Sequence, residues 1–111
     1  MAEILGTFEQ IVLLAVLSLG DDAYGRLILR EAQTTVPEER ALAAGAVYST
    51  LNRLEQKQYL ASRLDEGTPE RKGRARRFYR VTPQGAEALN STRKTLDRIW
   101  HGRTHQLEAL S

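Results

Sequence analysis

The sequence predicts a mainly α-helical chain with one small β-hairpin and a long helix towards its carboxy-terminal end. Three observations carry that expectation. Apolar residues recur at helical spacing as far as about residue 58, the period changes to two between Tyr59 and Thr82, and Thr82-Pro83 then reads as a fresh helix start. The 111 residues suit one domain, or one domain with an appended element. With 41% hydrophobic and 27% charged residues, the composition is that of a globular chain rather than a disordered one.

The first helix is expected from Leu5 to Leu19. It is apolar on almost every side, through Phe8, Ile11, Val12, Leu13, Leu14, Val16, Leu17 and Leu19. A helix apolar all round must be covered all round. A chain this short builds a small core, so a second subunit is expected to cover part of this helix. Gly20 is a natural stop, and Asp21-Asp22 offers an N-cap for the second helix. That helix is expected from about Ala23 to Thr34, with Tyr24, Leu27, Ile28 and Ala32 at helical spacing. It must end near Val36, because Pro37 disfavours helical geometry in the residue before it. Residues 35–43 form a short link, with room for one helical turn.

The third helix is expected from about Ala44 to Gln58. Val47, Leu51 and Leu54 form a core stripe flanked by Tyr48. The opposite face carries Ala46, Ser49, Thr50, Arg53 and Lys57, small and polar first and basic later, so it can approach a groove closely. Tyr59 to Asp65 then reads as a strand with Leu60 and Leu64 on one face. Residues 66–74 hold the turn formers Gly67, Pro69 and Gly73. Ala75 to Thr82 reads as a second strand, with Tyr79 and Val81 on one face and Phe78 and Arg80 on the other. Two strands alone are marginal in water, so the helices must pack on them. Thr82 is a good N-cap and Pro83 a good first helical residue. The fourth helix is expected to run unbroken from Pro83 to about Ala109, roughly 40 Å. That is more than residues 1–82 need to complete a core, and its apolar stripe is thin, which suits helix-on-helix packing. The chain is thus divided into residues 1–82 and a dimerisation helix at 83–111.

Charge is unevenly spread. The net charge is +2, but residues 1–44 carry three basic and seven acidic side chains, and residues 45–82 carry nine and four. The positive charge is densest in Arg71, Lys72, Arg74, Arg76, Arg77 and Arg80, at the hairpin. Such asymmetry points to an anionic partner met by one part of the molecule. Helix, helix, helix, strand, basic turn, strand and long helix is the order of a winged helix-turn-helix. In that arrangement the third helix enters the major groove, and the hairpin is a wing that grips phosphates or the minor groove.

Three segments, in this order, resemble the PadR-like family of transcriptional regulators. Gly45-Ala-Val-Tyr48-Ser-Thr-Leu51-Asn-Arg53-Leu54-Glu55 is similar to the family's third helix, and Ala23-Tyr24-Gly25 to its second-helix start. Gly73-Arg-Ala-Arg-Arg-Phe-Tyr79-Arg-Val-Thr82-Pro83-Gln-Gly85 is similar to its wing strand running into the dimer helix. The resemblance spans about residues 4–103. It implies a winged-helix homodimer, usually a repressor, bound to double-stranded DNA at a near-palindromic site. It places Tyr48 close to the DNA and the wing arginines upon it. The expected DNA contacts are Ala46, Tyr48, Ser49, Thr50, Arg53 and Lys57 on the helix, and Arg71, Lys72, Arg74, Arg76 and Arg77 on the wing. The expected dimer surface is Phe8, Leu13, Leu89, Leu96, Ile99, Trp100 and Leu107. Some family members take flat aromatic molecules between subunits, a role that would fall to Trp100, although such a tryptophan more often packs an interface. Two departures stand out. Gln58 replaces a common glycine, so the turn into the first strand is expected to be less tight, and Ala46-Val47 replaces Thr-Leu. The carboxy-terminal helix is short, so no separate effector domain is expected.

Other chemistries find little support. There is no cysteine, which excludes disulfides and thiolate metal sites. Asp97, His101 and His105 share a helical face at i, i+4 and i+8, but without a third-helix donor or cysteine nearby exposed histidines explain them better than a metal does, and no metal is expected. No nucleophile elbow or phosphate-binding loop occurs, so neither an enzyme nor a cofactor is expected. The apolar run Ile11 to Leu17 is too short to span a membrane, and no signal peptide is evident, which suggests a cytoplasmic protein. The alternative is an interaction module of the same fold whose basic hairpin meets an acidic partner, and a weaker one is an RNA-binding winged helix.

Overall fold

The computed structural model describes residues 3–71 and 73–111, apart from the side chain of Arg71. Its helices are α1 (Thr7–Leu19), α2 (Gly25–Gln33), α3 (Ala44–Gln56), α4 (Pro83–Trp100) and α5 (Arg103–Leu110), and its strands β1 (Leu60–Asp65) and β2 (Arg76–Val81). Short 3-10 turns lie at Gly20–Asp22 and Pro69–Arg71. The strands pair antiparallel, with Leu60 opposite Val81 and Asp65 opposite Arg76. This is the mainly helical winged fold that the sequence predicts.

One core joins the elements. Val12, Leu13 and Val16 of α1 meet Ile28 and Ala32 of α2, Val47, Leu51 and Leu54 of α3, Leu60 and Tyr79 of the hairpin, and Ala88 of α4. Leu13, expected at the dimer surface, is fully buried here. The apolar residues that α1 leaves exposed are Leu14 and Leu17, one turn apart. Helix α1 needs so much apolar surface because the core reaches it from three directions: α2, α3 and β2 all contact it.

Three expectations about the joints need correction. Asp21 and Asp22 do not cap α2: they lie in the 3-10 turn, and Tyr24 stands at the N-cap with no side-chain cap bond. The link between α2 and α3 holds no helix, only a turn closed by the Arg40 N–H on Pro37 O at 2.9 Å. It is held instead by Gln33, whose Nε2 donates to Arg40 O at 2.8 Å and whose Oε1 accepts from Leu42 N at 2.7 Å. The last helix is not continuous. It breaks at His101-Gly102, Gly102 having φ 75°, and resumes as α5. Asp97, His101 and His105 therefore share no helical face.

The turn after α3 is as tight as glycine would make it. Gln58 takes φ 67°, and it is the one non-glycine residue with positive φ among those described. Its N–H donates to Glu55 O and that of Tyr59 to Leu54 O, both at 2.9 Å, the paired bonds of a Schellman close. Thr82 then ties this turn to α4. Its Oγ1 donates to Gln58 O at 2.6 Å and accepts from Gly85 N at 3.0 Å. A Cβ on Gly85 would lie 2.2 Å from Tyr59 O, so only glycine lets α4 come this close. Gly85, Ala88 and Thr92 are buried, so the first half of α4 belongs to the core that residues 3–82 build. Thr92 Oγ1 even accepts from the Leu5 N–H, at 3.0 Å. Beyond Leu96, α4 and α5 project. The radius of gyration is 16.4 Å, against about 13 Å for a compact chain of this length.

The left-handed backbone at Gln58 gives a test of the turn. Gln58→Gly is expected to raise stability by about 1 kcal/mol, because glycine takes this conformation without steric cost. Gly85→Ala is expected to lower it by about 1–3 kcal/mol through overpacking against Tyr59. Thermal and urea melts of both variants measure this. A Gln58→Gly protein no more stable than wild type would contradict the strain at this turn.

Candidate nucleic-acid interface

Burying Val47, Thr50, Leu51 and Leu54 fixes which side of α3 faces out. The outward ridge is Gly45, Ser49, Asn52 and Gln56, all exposed and spaced by three or four residues. Ala46 and Arg53 flank it on the α1 side, and Tyr48 flanks it on the side of the wing. The ridge is narrow and polar, with nothing bulkier than an amide, so it can approach base edges closely. Asparagine and glutamine can pair bidentately with adenine, and arginine with guanine.

Thr50 is not on this surface. It is 2% exposed and joins the core stripe, so it cannot contact DNA directly. Lys57 is exposed but engaged: its Nζ donates to Glu3 Oε1 at 2.9 Å and to Glu9 Oε2 at 3.0 Å. Arg53 shares the second acid, with Nε 3.7 Å from Glu9 Oε2. The basic end of α3 is therefore largely neutralised from α1. Ala46, Ser49, Tyr48 and Arg53 do lie where the sequence places them, on the exposed side.

The wing is fixed to the helices through α2. Tyr79 N–H donates to Ala23 O at 2.8 Å, and Tyr24 bridges Phe78, so the chain entering α2 acts as a stub of third strand. The rings of Tyr24 and Phe78 meet edge to face at 5.6 Å. The Arg76 guanidinium lies 4.2 Å from the Tyr24 ring centre, and that of Arg63 lies 4.8 Å from that of Phe78. Two arginines are thereby ordered by cation–π contact without losing charge. Arg77 Nη1 donates to Ser62 Oγ at 3.1 Å, and that hydroxyl donates to Glu55 of α3.

Between the start of α2, α3 and the wing lies a cleft of about 550 Å³, lined by Tyr24, Gly25, Arg26, Tyr48, Glu70, Arg74, Ala75, Arg76, Arg77 and Tyr79. A Cβ at Gly25 would sit 2.4 Å from Tyr48 Cε1, so glycine there gives the tyrosine its seat. Tyr48 remains 44% exposed. Four arginines and three tyrosines, against one glutamate, around a concave surface suit phosphate oxygens. Lys72 and the Arg71 side chain, expected in this group, lie outside the described residues.

Comparison with known proteins agrees with this geometry. The model of the PadR-like transcriptional regulator family matches residues 13–91. The chain belongs to the PadR-like family. Its members are transcriptional regulators that bind DNA, not enzymes. A transcriptional regulator from Clostridium thermocellum shares 25% identity and a TM-score of 0.67, over 83% of this chain and 84% of that one. A PadR family regulator from Eggerthella lenta shares 27% identity and a TM-score of 0.66, over 89% and 82%. One from Clostridium difficile shares 25% identity and a TM-score of 0.62, over 90% and 97%. Comparison with curated proteins finds no match. Among the described residues no helix is long and apolar enough to cross a membrane.

Sequence reasoning misses the places of Asn52 and Gln56 on the exposed ridge and of Arg26 and Tyr24 in the cleft of this PadR-like regulator. Asn52 and Gln56 are legible in principle, since they fall opposite the core stripe once Thr50 is counted in it. Arg26 and Tyr24 come to the cleft through the Ala23–Tyr79 backbone bond, which no local pattern announces.

The acid cluster has a pH signature. Burial alone would raise the Glu9 carboxyl, but hydrogen bonds from Lys57 and Gly6 and the charges of Lys57 and Arg53 outweigh it and hold it below its ordinary value. Lys57 is raised by its hydrogen bonds to Glu3 and Glu9. The Glu9 contribution to stability is thus complete above the ordinary carboxylate value, about 4.3, and is lost as pH falls through its lowered value. That of Lys57 is complete below about 10.4 and lost only as pH rises through its raised value. Glu9→Gln is expected to be less stable than wild type at pH 7 and to lose less stability between pH 5 and 3. Urea melts across that range check this, and parallel acid slopes would contradict it.

Proposed function

We propose that this PadR-like regulator is a homodimeric repressor that reads a near-palindromic duplex site. The observation that carries the reading is the exposed Ser49–Asn52–Gln56 ridge, flanked by Arg53, beside an arginine-lined cleft on one surface. The ridge supplies direct readout in the major groove. The cleft, with Arg26, Arg74, Arg76 and Arg77, holds the phosphate backbone and sets the register. Repression needs no more than this, because a dimer seated on promoter duplex excludes other proteins from it.

The dimer surface is the apolar groove of about 270 Å³ between α1 and α4, where Leu14, Leu17, Leu89 and Leu96 lie, continued by Ile99, Trp100 and Leu107 on the projecting arm. Leu14 and Leu17 replace Leu13 in this role, and Phe8 is half-buried against its own core. Two ridges held about 34 Å apart would meet successive major grooves on one side of the duplex, and a two-fold protein requires a two-fold site.

Selection from a random duplex pool is expected to enrich near-palindromic sites. With roughly eight phosphates neutralised per dimer, log K against log salt is expected to slope near −7. Replacing Arg74, Arg76 and Arg77 with alanine is expected to weaken binding to all sequences and flatten that slope. Asn52→Ala is expected to cost about 1–3 kcal/mol at one base position while sparing random duplex. Leu14→Asp with Leu17→Asp is expected to yield monomers in sedimentation equilibrium. A pool without enrichment, bound without salt dependence, would overturn the DNA reading, and a monomeric wild type would overturn the dimer.

A further inference from the structure

Arg53 is gripped on two sides by groups outside the reading ridge. Its Nη2 donates to Thr50 Oγ1 at 3.3 Å, and its Nε stands 3.7 Å from Glu9 Oε2. Both anchors are themselves fixed. Thr50 is buried in the core stripe. The Glu9 side chain is 14% exposed, and its Oε1 accepts from Gly6 N–H at 3.3 Å while its Oε2 accepts from Lys57. The Arg53 side chain is 51% exposed, and both contacts are made by the Nε–Nη2 edge of its guanidinium. A guanidinium has five donors, and these two contacts leave most of the Nη pair free.

Glu9 presents an electrostatic puzzle at a surface built to meet phosphates. A carboxylate there opposes attraction to any duplex, and with Glu3 it cancels the charge of Arg53 and Lys57. It adds nothing to general affinity for an anion. What it offers is orientation. A free arginine samples many rotamers, and bidentate pairing with guanine O6 and N7 requires one of them. Fixing the side chain before binding lowers the entropy lost on recognition, and does so only for the base that the fixed geometry fits.

We infer that Glu9 and Thr50 are positioning residues that hold Arg53 for reading a guanine, so that discrimination between sequences depends on two residues that touch no base. The inference rests on the DNA reading above. Lys57 balances the second charge of the cluster rather than contacting DNA, and the buried hydroxyl of Thr50 is retained because it accepts from Arg53.

The test uses the full chain, with fluorescence anisotropy on the selected duplex and on a random duplex of equal length. Glu9→Gln and Thr50→Val are each expected to lower the ratio of selected to random affinity about fivefold, with the loss confined to guanine positions. Glu9→Gln is expected to bind random duplex as tightly as wild type or up to about twofold tighter, since a negative charge is gone. Thr50→Ser keeps the acceptor and is expected to keep the ratio. Arg53→Ala is expected to lose the same discrimination, and adding Glu9→Gln to it to change the ratio no further. A purely structural role would instead weaken both affinities together, and that outcome overturns the inference, as does an unchanged ratio. If Glu9→Gln fails to fold in a thermal melt, Thr50→Val, which keeps the buried volume, decides. Wild type that binds no duplex overturns the DNA reading and the inference with it. Wild type that discriminates, with variants that match it, overturns the inference alone.

Discussion

Val47, Leu51 and Leu54 have no accessible surface, and Thr50 has almost none. Their burial sets the rotation of α3 about its own axis, and most of the interface depends on that rotation. Successive helical residues are 100° apart, so a stripe fixed inward leaves residues 45, 49, 52 and 56 outward without further instruction. The ridge is rigid because the stripe is packed against α1, α2 and the hairpin together. A reading surface built this way needs no ordering when it meets duplex, and its cost in conformational entropy falls on folding instead.

The wing depends on the same core by a different route. A two-stranded hairpin is marginal in water. Here it is held at three places: the Ala23–Tyr79 backbone bond, the Tyr24–Phe78 contact and the Thr82 link between the α3 turn and α4. The last two also place charge. Tyr24 orders Arg76, and the tight turn at Gln58 starts β1 close enough to α3 for Ser62 to reach Glu55. Strained backbone at one residue is thus coupled to the position of arginines two elements away. Glycine would relieve that strain at no cost to the geometry, so the glutamine side chain itself does not explain the turn.

The order of elements is legible in the sequence because each carries its own period and its own stop: Gly20, Pro37, Gly67 with Gly73, and Thr82-Pro83. The identity of the contact residues is less so. Polarity puts Thr50 outside, yet its methyl group packs and its hydroxyl finds Arg53, so polarity alone misjudges its face. Counting it with Val47, Leu51 and Leu54 moves the ridge to Asn52 and Gln56. The engagement of Lys57 is not legible because its partners, Glu3 and Glu9, are some fifty residues away, and pairing over that distance is not written in local pattern. Leu13 and Leu14 cannot be told apart on a helix apolar on every side. The break at Gly102 is hidden because the heptad-like stripe continues past it, while the backbone there takes a conformation that only glycine adopts easily.

Charge gives α1 a role beyond packing. The acidic first part of the chain and the basic middle are not separate surfaces, because Glu3 and Glu9 reach the end of α3. The excess positive charge of residues 45–82 is therefore concentrated at the wing and cleft, not spread along the reading helix. This divides the work physically. In the proposed reading, long-range attraction to phosphate would come from the wing, whose arginines are numerous and would act in a salt-sensitive way. Selection would come from a ridge nearly neutral overall, where close contact and hydrogen-bond geometry dominate. A reading helix as basic as its sequence suggests would hold any duplex tightly, and so would separate right from wrong sequences poorly. Neutralising its basic end through Glu3 and Glu9 would lower affinity for every sequence equally, and would leave discrimination to the few groups held in fixed positions.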